Sequence, residues 1–233
     1  MTPLIRSLSI MLGTASLASA ASTLINLDIG RTGQVAYAGT GVLGGGTWNI
    51  VSVPATAGGA NSTSATGLLD STGAITSVGI SVAGFNNSFD LGNQGTVADS
   101  LDPLFSDYIY LNGASGTGGA ATITLSGLGA GTQWNLVLFG ANANGQGSTF
   151  SIGATSLSTS DTGGISGFND VNPNDEYVQF NGITADGSGN IAVNWTKVGA
   201  FGGFNGFQLQ QVPEPSATLL GGLGLLGLLR RRR

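Results

Sequence analysis

The stretch Asp170-Val171-Asn172-Pro173-Asn174-Asp175-Glu176 places oxygen-bearing side chains at alternate positions. A calcium loop gathers hard donors in this way from a short piece of chain. Asp170, Asn172, Asn174 and Glu176 are the candidate ligands. The stretch departs from the EF-hand pattern at two points: Asp175 stands where the sharp-turn glycine belongs, and Asn181 where the closing glutamate belongs. The plain reading beside calcium is a solvated acidic loop. Asp99, Asp102 and Asp107 form a second oxygen-rich group with the same two readings. Calcium is the one cofactor the sequence suggests.

Two carboxylates such as Asp102 and Asp107 are also what a glycosidase uses. The chain, however, has no histidine and no cysteine. It therefore lacks an imidazole for acid–base work, a thiolate nucleophile and a thiolate zinc site. No nucleophile–base pair can be named, and the glycine clusters such as Gly44-Gly45-Gly46 follow no phosphate-binding pattern. The expectation is a protein that is not an enzyme.

Aromatic residues offer the other chemistry, stacking on sugar rings. Trp134 and Trp195 fall in phase with apolar neighbours and read as core. Tyr108 and Tyr110 lie opposite Ile109 and Leu111 on an alternating segment, so they share one face and are the candidate sugar contacts.

The elements that position these residues read as strands. Ala121–Ser126 alternates strictly, with Ala121, Ile123 and Leu125 on one face and Thr122, Thr124 and Ser126 on the other. Ile191, Val193 and Trp195 likewise oppose Ala192, Asn194 and Thr196. Gln133–Gly140 is almost continuously apolar, as a strand covered on both faces should be. Further strands are predicted at Leu24–Ile29, Thr47–Val53, Ile75–Ala83, Asp107–Asn112, Ser148–Ile152, Tyr177–Ile183 and Gly206–Val212. Residues 55–67 read as an exposed loop and residues 85–105 as irregular. Asn144-Gly145 signals a hairpin between the strands on either side of it. No segment has useful helical periodicity, and the 41 glycines fit frequent turns. The expected fold is all-β, an antiparallel two-sheet sandwich, most simply a jelly roll.

Between Ala21 and Gln211 only Arg31 and Lys197 are basic, against eleven acids, for a net charge of −9. Two cations cannot neutralise a phosphate backbone, which argues against a nucleic-acid partner. With no disulfide, the domain must be held by its core.

The two ends read as addresses. Arg6, the apolar run Leu8–Leu17 and the Ala18-Ser19-Ala20 step form a secretory signal peptide over residues 1–20, cleaved after Ala20 by signal peptidase. At the other end, residues 212–233 join Pro213-Glu214-Pro215 to an uncharged run over 216–229 and to Arg230, Arg231, Arg232 and Arg233. About 14 residues at ~1.5 Å each span roughly 21 Å, short of a ~30 Å hydrocarbon core. Arginine snorkelling closes such a gap, and the terminal arginines hold the cytoplasmic side. A short transmembrane helix of this kind is a marginal, transient anchor.

This tail resembles the PEP-CTERM sorting signal of Gram-negative bacteria, which also goes under the label of an ice-binding protein C-terminal domain. The resemblance implies processing near Pro213-Glu214-Pro215 by the membrane transpeptidase exosortase, then delivery to the cell surface or beyond. It also implies a structural or adhesive role linked to exopolysaccharide. The alternative is a carbohydrate-binding module with a defined glycan. The intervening residues 21–211 are similar to the jelly-roll cargo domains that accompany such tails. That likeness rests on Leu24–Ile29, Thr47-Trp48-Asn49, Asp107–Leu111, Ser126-Gly127-Leu128, Trp134–Gly140 and Phe204–Leu209. No internal repeat is present, which argues against an ice-binding solenoid.

Overall fold

The computed structural model describes residues 22–55, 59–90, 102–113, 119–141, 147–159 and 176–213. Residues 1–20, residues 214–233 of the C-terminal signal and residues 170–175 of the acidic stretch lie outside them. Among the described residues no helix is long and apolar enough to cross a membrane.

The strands in chain order are β1 (Leu24–Arg31), β2 (Trp48–Val53), β3 (Asn61–Ala65), β4 (Gly79–Phe85) and β5 (Asn87–Asp90). A single helical turn, α1 (Asp102–Phe105), precedes β6 (Asp107–Leu111) and β7 (Ala120–Ser126). Then come β8 (Gln133–Phe139), β9 (Gly147–Ile152), β10 (Thr155–Ser158), β11 (Tyr177–Thr184), β12 (Ile191–Val198), β13 (Gly202–Phe204) and β14 (Gly206–Gln211). The fold is all-β, as expected. A five-stranded sheet in the order β11-β8-β14-β1-β2 packs on a six-stranded sheet in the order β10-β9-β12-β7-β4-β3. A three-stranded sheet, β13-β6-β5, adjoins them. Every pairing is antiparallel except that of β1 with β2, which run parallel with Asn26 opposite Trp48.

The core forms where the alternating patterns meet. Ile25, Leu27 and Ile29 of β1, Leu136 and Leu138 of β8, and Phe207 and Leu209 of β14 share one buried cluster with Val82, Ile123, Leu125, Val193 and Trp195 of the facing sheet. Trp195 stacks on Phe150 with ring centroids 6.5 Å apart and 20° between the planes. Its Nε1–H donates to Ser148 Oγ at 2.9 Å. The indole thus contributes its full apolar area without an orphaned donor, a saving that matters in a chain without disulfides.

The five-stranded sheet is covered on its second face as well. A parallel pair requires a crossover, and residues 32–47 supply it. That loop brings Tyr37, Val42 and Leu43 against Trp48, Val137, Phe139 and Tyr177, with Leu104 and Phe105 of α1 completing the layer. This second layer is why β8 is apolar on both faces. Gln208 fastens it: its Nε2–H₂ donates to Asn26 Oδ1 and Gly44 O, both at 2.8 Å, and its Oε1 accepts the Leu43 N–H at 2.8 Å.

Three sequence expectations change. β8 pairs with β11 and β14, whereas β9 pairs with β10 and β12, so the strands on either side of Asn144-Gly145 belong to different sheets and are not paired with each other as a hairpin; Asn144 and Gly145 themselves lie outside the described residues. Residues 55–67 include the edge strand β3, paired with β4. Residues 85–105 contribute β5 and α1.

Replacing Gln208 by Leu removes the partner of the buried Asn26 Oδ1 and of the half-buried Leu43 N–H, and one of the two donors to Gly44 O. Urea unfolding should then show a loss of about 3 kcal/mol. A loss under about 0.5 kcal/mol would mean the crossover is held by other contacts.

Candidate functional site

The three-stranded sheet places aromatic rings in a row. In β6, Ile109 and Leu111 turn into the core, so Tyr108 and Tyr110 share the opposite face, the alternation that singled them out in the sequence. Phe89 of β5 lies directly across from Tyr108, with ring centroids 6.0 Å apart, and reaches Tyr110 at 6.4 Å. Phe201, just before β13, meets Tyr110 edge-on at 6.0 Å. Phe89 and Phe201 are 42 % and 38 % exposed, Tyr110 is partly exposed and Tyr108 only 5 % exposed. The accessible row is therefore Phe89, Tyr110 and Phe201, with Tyr108 beneath as support. Sequence reading missed Phe89 and Phe201. The register of β5 on β6 is what brings Phe89 in, and only pairing reveals it.

This sheet joins the sandwich through Asp107. Its Oδ2 accepts the Arg31 N–H at 3.1 Å, and a methyl group at Gly30 would fall 1.8 Å from that same oxygen. Glycine is required at residue 30 for space alone. Two residues earlier on the same face of β1, Asp28 is 1 % exposed and its Oδ2 accepts the Tyr37 N–H at 2.7 Å. Asp28 Oδ1 is buried with no hydrogen-bond partner among the described residues. Asn205, fully buried between β13 and β14, donates from Nδ2 to the Asp107 carbonyl at 3.4 Å, while its Oδ1 has no partner among them. Burial, and then the nearby Asp107 charge, push the Asp28 carboxyl well above the usual carboxylate range; the Tyr37 N–H acts the other way. No sequence pattern pointed to Asp28, because one acid within an apolar strand gives no sign of its depth.

A separate groove of about 340 Å³ opens where β10 and β11 edge the two sheets, lined by Ile152, Leu157, Gln179, Asn181 and Ile183 among others. Its one ring, Phe180, is buried, so it has amides for hydrogen bonds but no exposed surface for stacking.

Of the calcium candidates, Asp170, Asn172 and Asn174 fall outside the described residues. Glu176 is buried at the head of β11, where its carbonyl accepts the Gly140 N–H at 3.1 Å. Asp99 is also outside, and Asp107 turns out to be a buried joint of the fold. Among the described residues no three His, Cys, Asp or Glu side chains gather as a metal cluster. Ala18, Ala20, Glu214, Pro215 and Arg230–Arg233 lie outside the described residues, and Pro213 is the last described one.

Because the Asp28 carboxyl titrates higher in the fold than in the unfolded chain, its contribution to stability is full below the ordinary carboxylate range. It is lost as pH rises through the raised value. In metal-free buffer the melting temperature should fall as pH rises above the ordinary carboxylate range, and Asp28→Asn should flatten that fall in differential scanning fluorimetry. An unaltered slope in the variant would place the titration elsewhere.

Among solved structures, three show remote likenesses to this chain. TmCBM61 in complex with β-1,4-galactotriose aligns at 12 % identity and a TM-score of 0.28, over 57 % of this chain and 82 % of that one. The enzymatically active domain of the bacteriophage CBA120 tailspike protein 4 aligns at 10 % identity and 0.30, over 66 % of this chain and 19 % of that one. The Arthrobacter globiformis T6 isomalto-dextranase complexed with panose aligns at 16 % identity and 0.29, over 64 % and 23 %. Scores this low carry no argument about ligand or activity. No curated protein sequence matches the chain. Residues 211–233 do match the PEP-CTERM protein-sorting motif. The chain thus carries a PEP-CTERM protein-sorting motif at residues 211–233, which implies an exported protein held transiently in the membrane and processed by exosortase.

Proposed function

We propose that the mature protein is a non-catalytic component of the cell surface or extracellular matrix of a Gram-negative bacterium, adhering to neutral exopolysaccharide. Signal peptidase removes residues 1–20 in this reading. The observation that carries it is the accessible row Phe89, Tyr110 and Phe201 on one face of a small sheet. Partly exposed rings in a line bury the apolar faces of successive sugar rings, and the Tyr110 hydroxyl adds a hydrogen bond.

A second surface supports the same reading. The outward positions of the six-stranded sheet are Ser156 and Ser158 of β10, Thr149 and Ser151 of β9, and Ala192, Asn194 and Thr196 of β12. They continue as Thr122 and Thr124 of β7, Ser81 and Ala83 of β4, and Ser62 and Ser64 of β3. None is charged, and among the described residues of this face the one larger apolar side chain is Val198 at the end of β12. A broad neutral face of short hydroxyl side chains suits an uncharged, hydroxyl-rich polymer better than an ionic partner. The alternative, a module selective for one glycan, draws on the same aromatic row.

On an array of neutral glycans, the exported protein should bind saturably. Tyr110→Ala should weaken that binding at least about tenfold, roughly 1.4 kcal/mol, and Phe89→Ala should do likewise. Binding across many neutral glycans supports the adhesive role, and a single ligand the module. Binding unchanged in Tyr110→Ala would contradict both.

A further inference from the structure

We propose that Asn112 is a site of self-modification: the Gly113 amide nitrogen attacks the Asn112 side chain, which loses ammonia and becomes an aspartyl or isoaspartyl residue. The chemistry does not depend on the glycan reading. An Asn-Gly step hinders this attack least, because glycine has no Cβ to shield its nitrogen. The chain has four such steps, beginning at Asn112, Asn144, Asn181 and Asn205. Asn144 and Gly145 lie outside the described residues. Of the other three, the fold closes two. Asn205 is fully buried, its Nδ2–H is donated to the Asp107 carbonyl, and Gly206 is paired with both β1 and β8. At Asn181 the nucleophile is occupied. The Gly182 N–H donates to Asn135 Oδ1 at 3.0 Å, and Asn181 Oδ1 accepts the Gln179 Nε2–H at 2.7 Å.

Asn112 is different. The residue is exposed, and among the described residues neither its carboxamide nor the Gly113 N–H has a hydrogen-bond partner. Its own backbone N–H donates to Asn86 Oδ1 at 2.7 Å, which holds the step at the end of β6. A positive charge sits beside it. The Lys197 ammonium donates to the Gly113 carbonyl at 3.2 Å and to the Ala200 carbonyl at 3.1 Å, and a methyl group at Gly113 would fall 2.8 Å from Lys197 Nζ. An ammonium fixed there stabilises the negative charge that develops as the Gly113 N–H is lost. The reaction needs only water. Hydroxide takes the Gly113 N–H proton, the nitrogen bonds to Asn112 Cγ, and the Cγ–Nδ2 bond breaks. The departing nitrogen takes a proton from water and leaves as ammonia. Water then opens the cyclic imide at either carbonyl, leaving a carboxylate at residue 112. The domain thereby gains a negative charge two residues from Tyr110.

The test uses the exported, processed protein, stored at neutral and at mildly alkaline pH. Peptide mass spectrometry over successive days should show Asn112 converting, faster at the higher pH, while Asn181 and Asn205 stay intact. In urea, where the fold no longer shields them, Asn181 and Asn205 should convert as well. Lys197→Met should slow conversion of Asn112 in the folded protein at least about threefold. Lys197→Arg, which keeps the charge, should restore it, and in urea neither substitution should matter. Should Lys197→Met fail to fold, the comparison of folded with urea-unfolded wild type still decides. An intact Asn112 in the folded protein, or conversion of Asn181 or Asn205 there as fast as Asn112, would overturn the proposal. Conversion unslowed in folded Lys197→Met would overturn the part assigned to the ammonium.

Discussion

Among the described glycines, the tightest fit is at Gly30, where an added Cβ would fall 1.8 Å from the Asp107 carboxylate. Elsewhere the sheets meet through apolar side chains and through neutral hydrogen bonds such as Ser88 Oγ to the Val53 carbonyl and Ser148 Oγ to the Gly203 carbonyl. Here a charged group lies where a side chain would otherwise stand, and its oxygen accepts the neighbouring Arg31 N–H. This contact seats β6 on β1 and so fixes where Tyr108 and Tyr110 face. It also brings Asp107 near Asp28, making one small region responsible for the seating of the aromatic sheet and for the main electrostatic cost of the fold.

That cost is supportable because the five-stranded sheet is sealed on both sides. The facing sheet covers one side with Ile123, Val193 and Trp195. The crossover loop and α1 cover the other, held by the bonds Gln208 makes to Asn26, Leu43 and Gly44. In an exported chain with no cysteine, this double cover takes the place of covalent bracing. It leaves the six-stranded sheet with one free face, which is neutral and short-chained, and leaves the small sheet to present the larger rings.

Much of this was legible in the sequence where local pattern and burial agree. β7 and β12 follow their alternation residue for residue, and the continuous apolar run of β8 correctly announced two-sided cover. The failures share a cause, which is partner choice. Asn144-Gly145 is a local hairpin signal, but the strands flanking it are claimed by β14 and β12, contacts distant in sequence. β3 is an edge strand of Asn, Ser, Thr and Ala, and a strand with so little apolar content reads as loop. At the candidate site, Tyr108 and Tyr110 were found by phase, but phase cannot say that Tyr108 is the covered ring or that Phe89 lies opposite it. Asp28 was invisible for the same reason: depth is a property of what packs on a strand. The sorting tail was the most legible element of all, because its order of proline, apolar and arginine segments is meaningful without any tertiary partner.

The claim on which the account turns is that the space at Gly30 seats the aromatic-bearing sheet through Asp107. Hydrogen exchange on Gly30→Ala, read strand by strand, tests it directly. The account predicts lost protection in β5, β6 and β13 while β7, β8 and β12 keep theirs. Unchanged protection in β6 would contradict it.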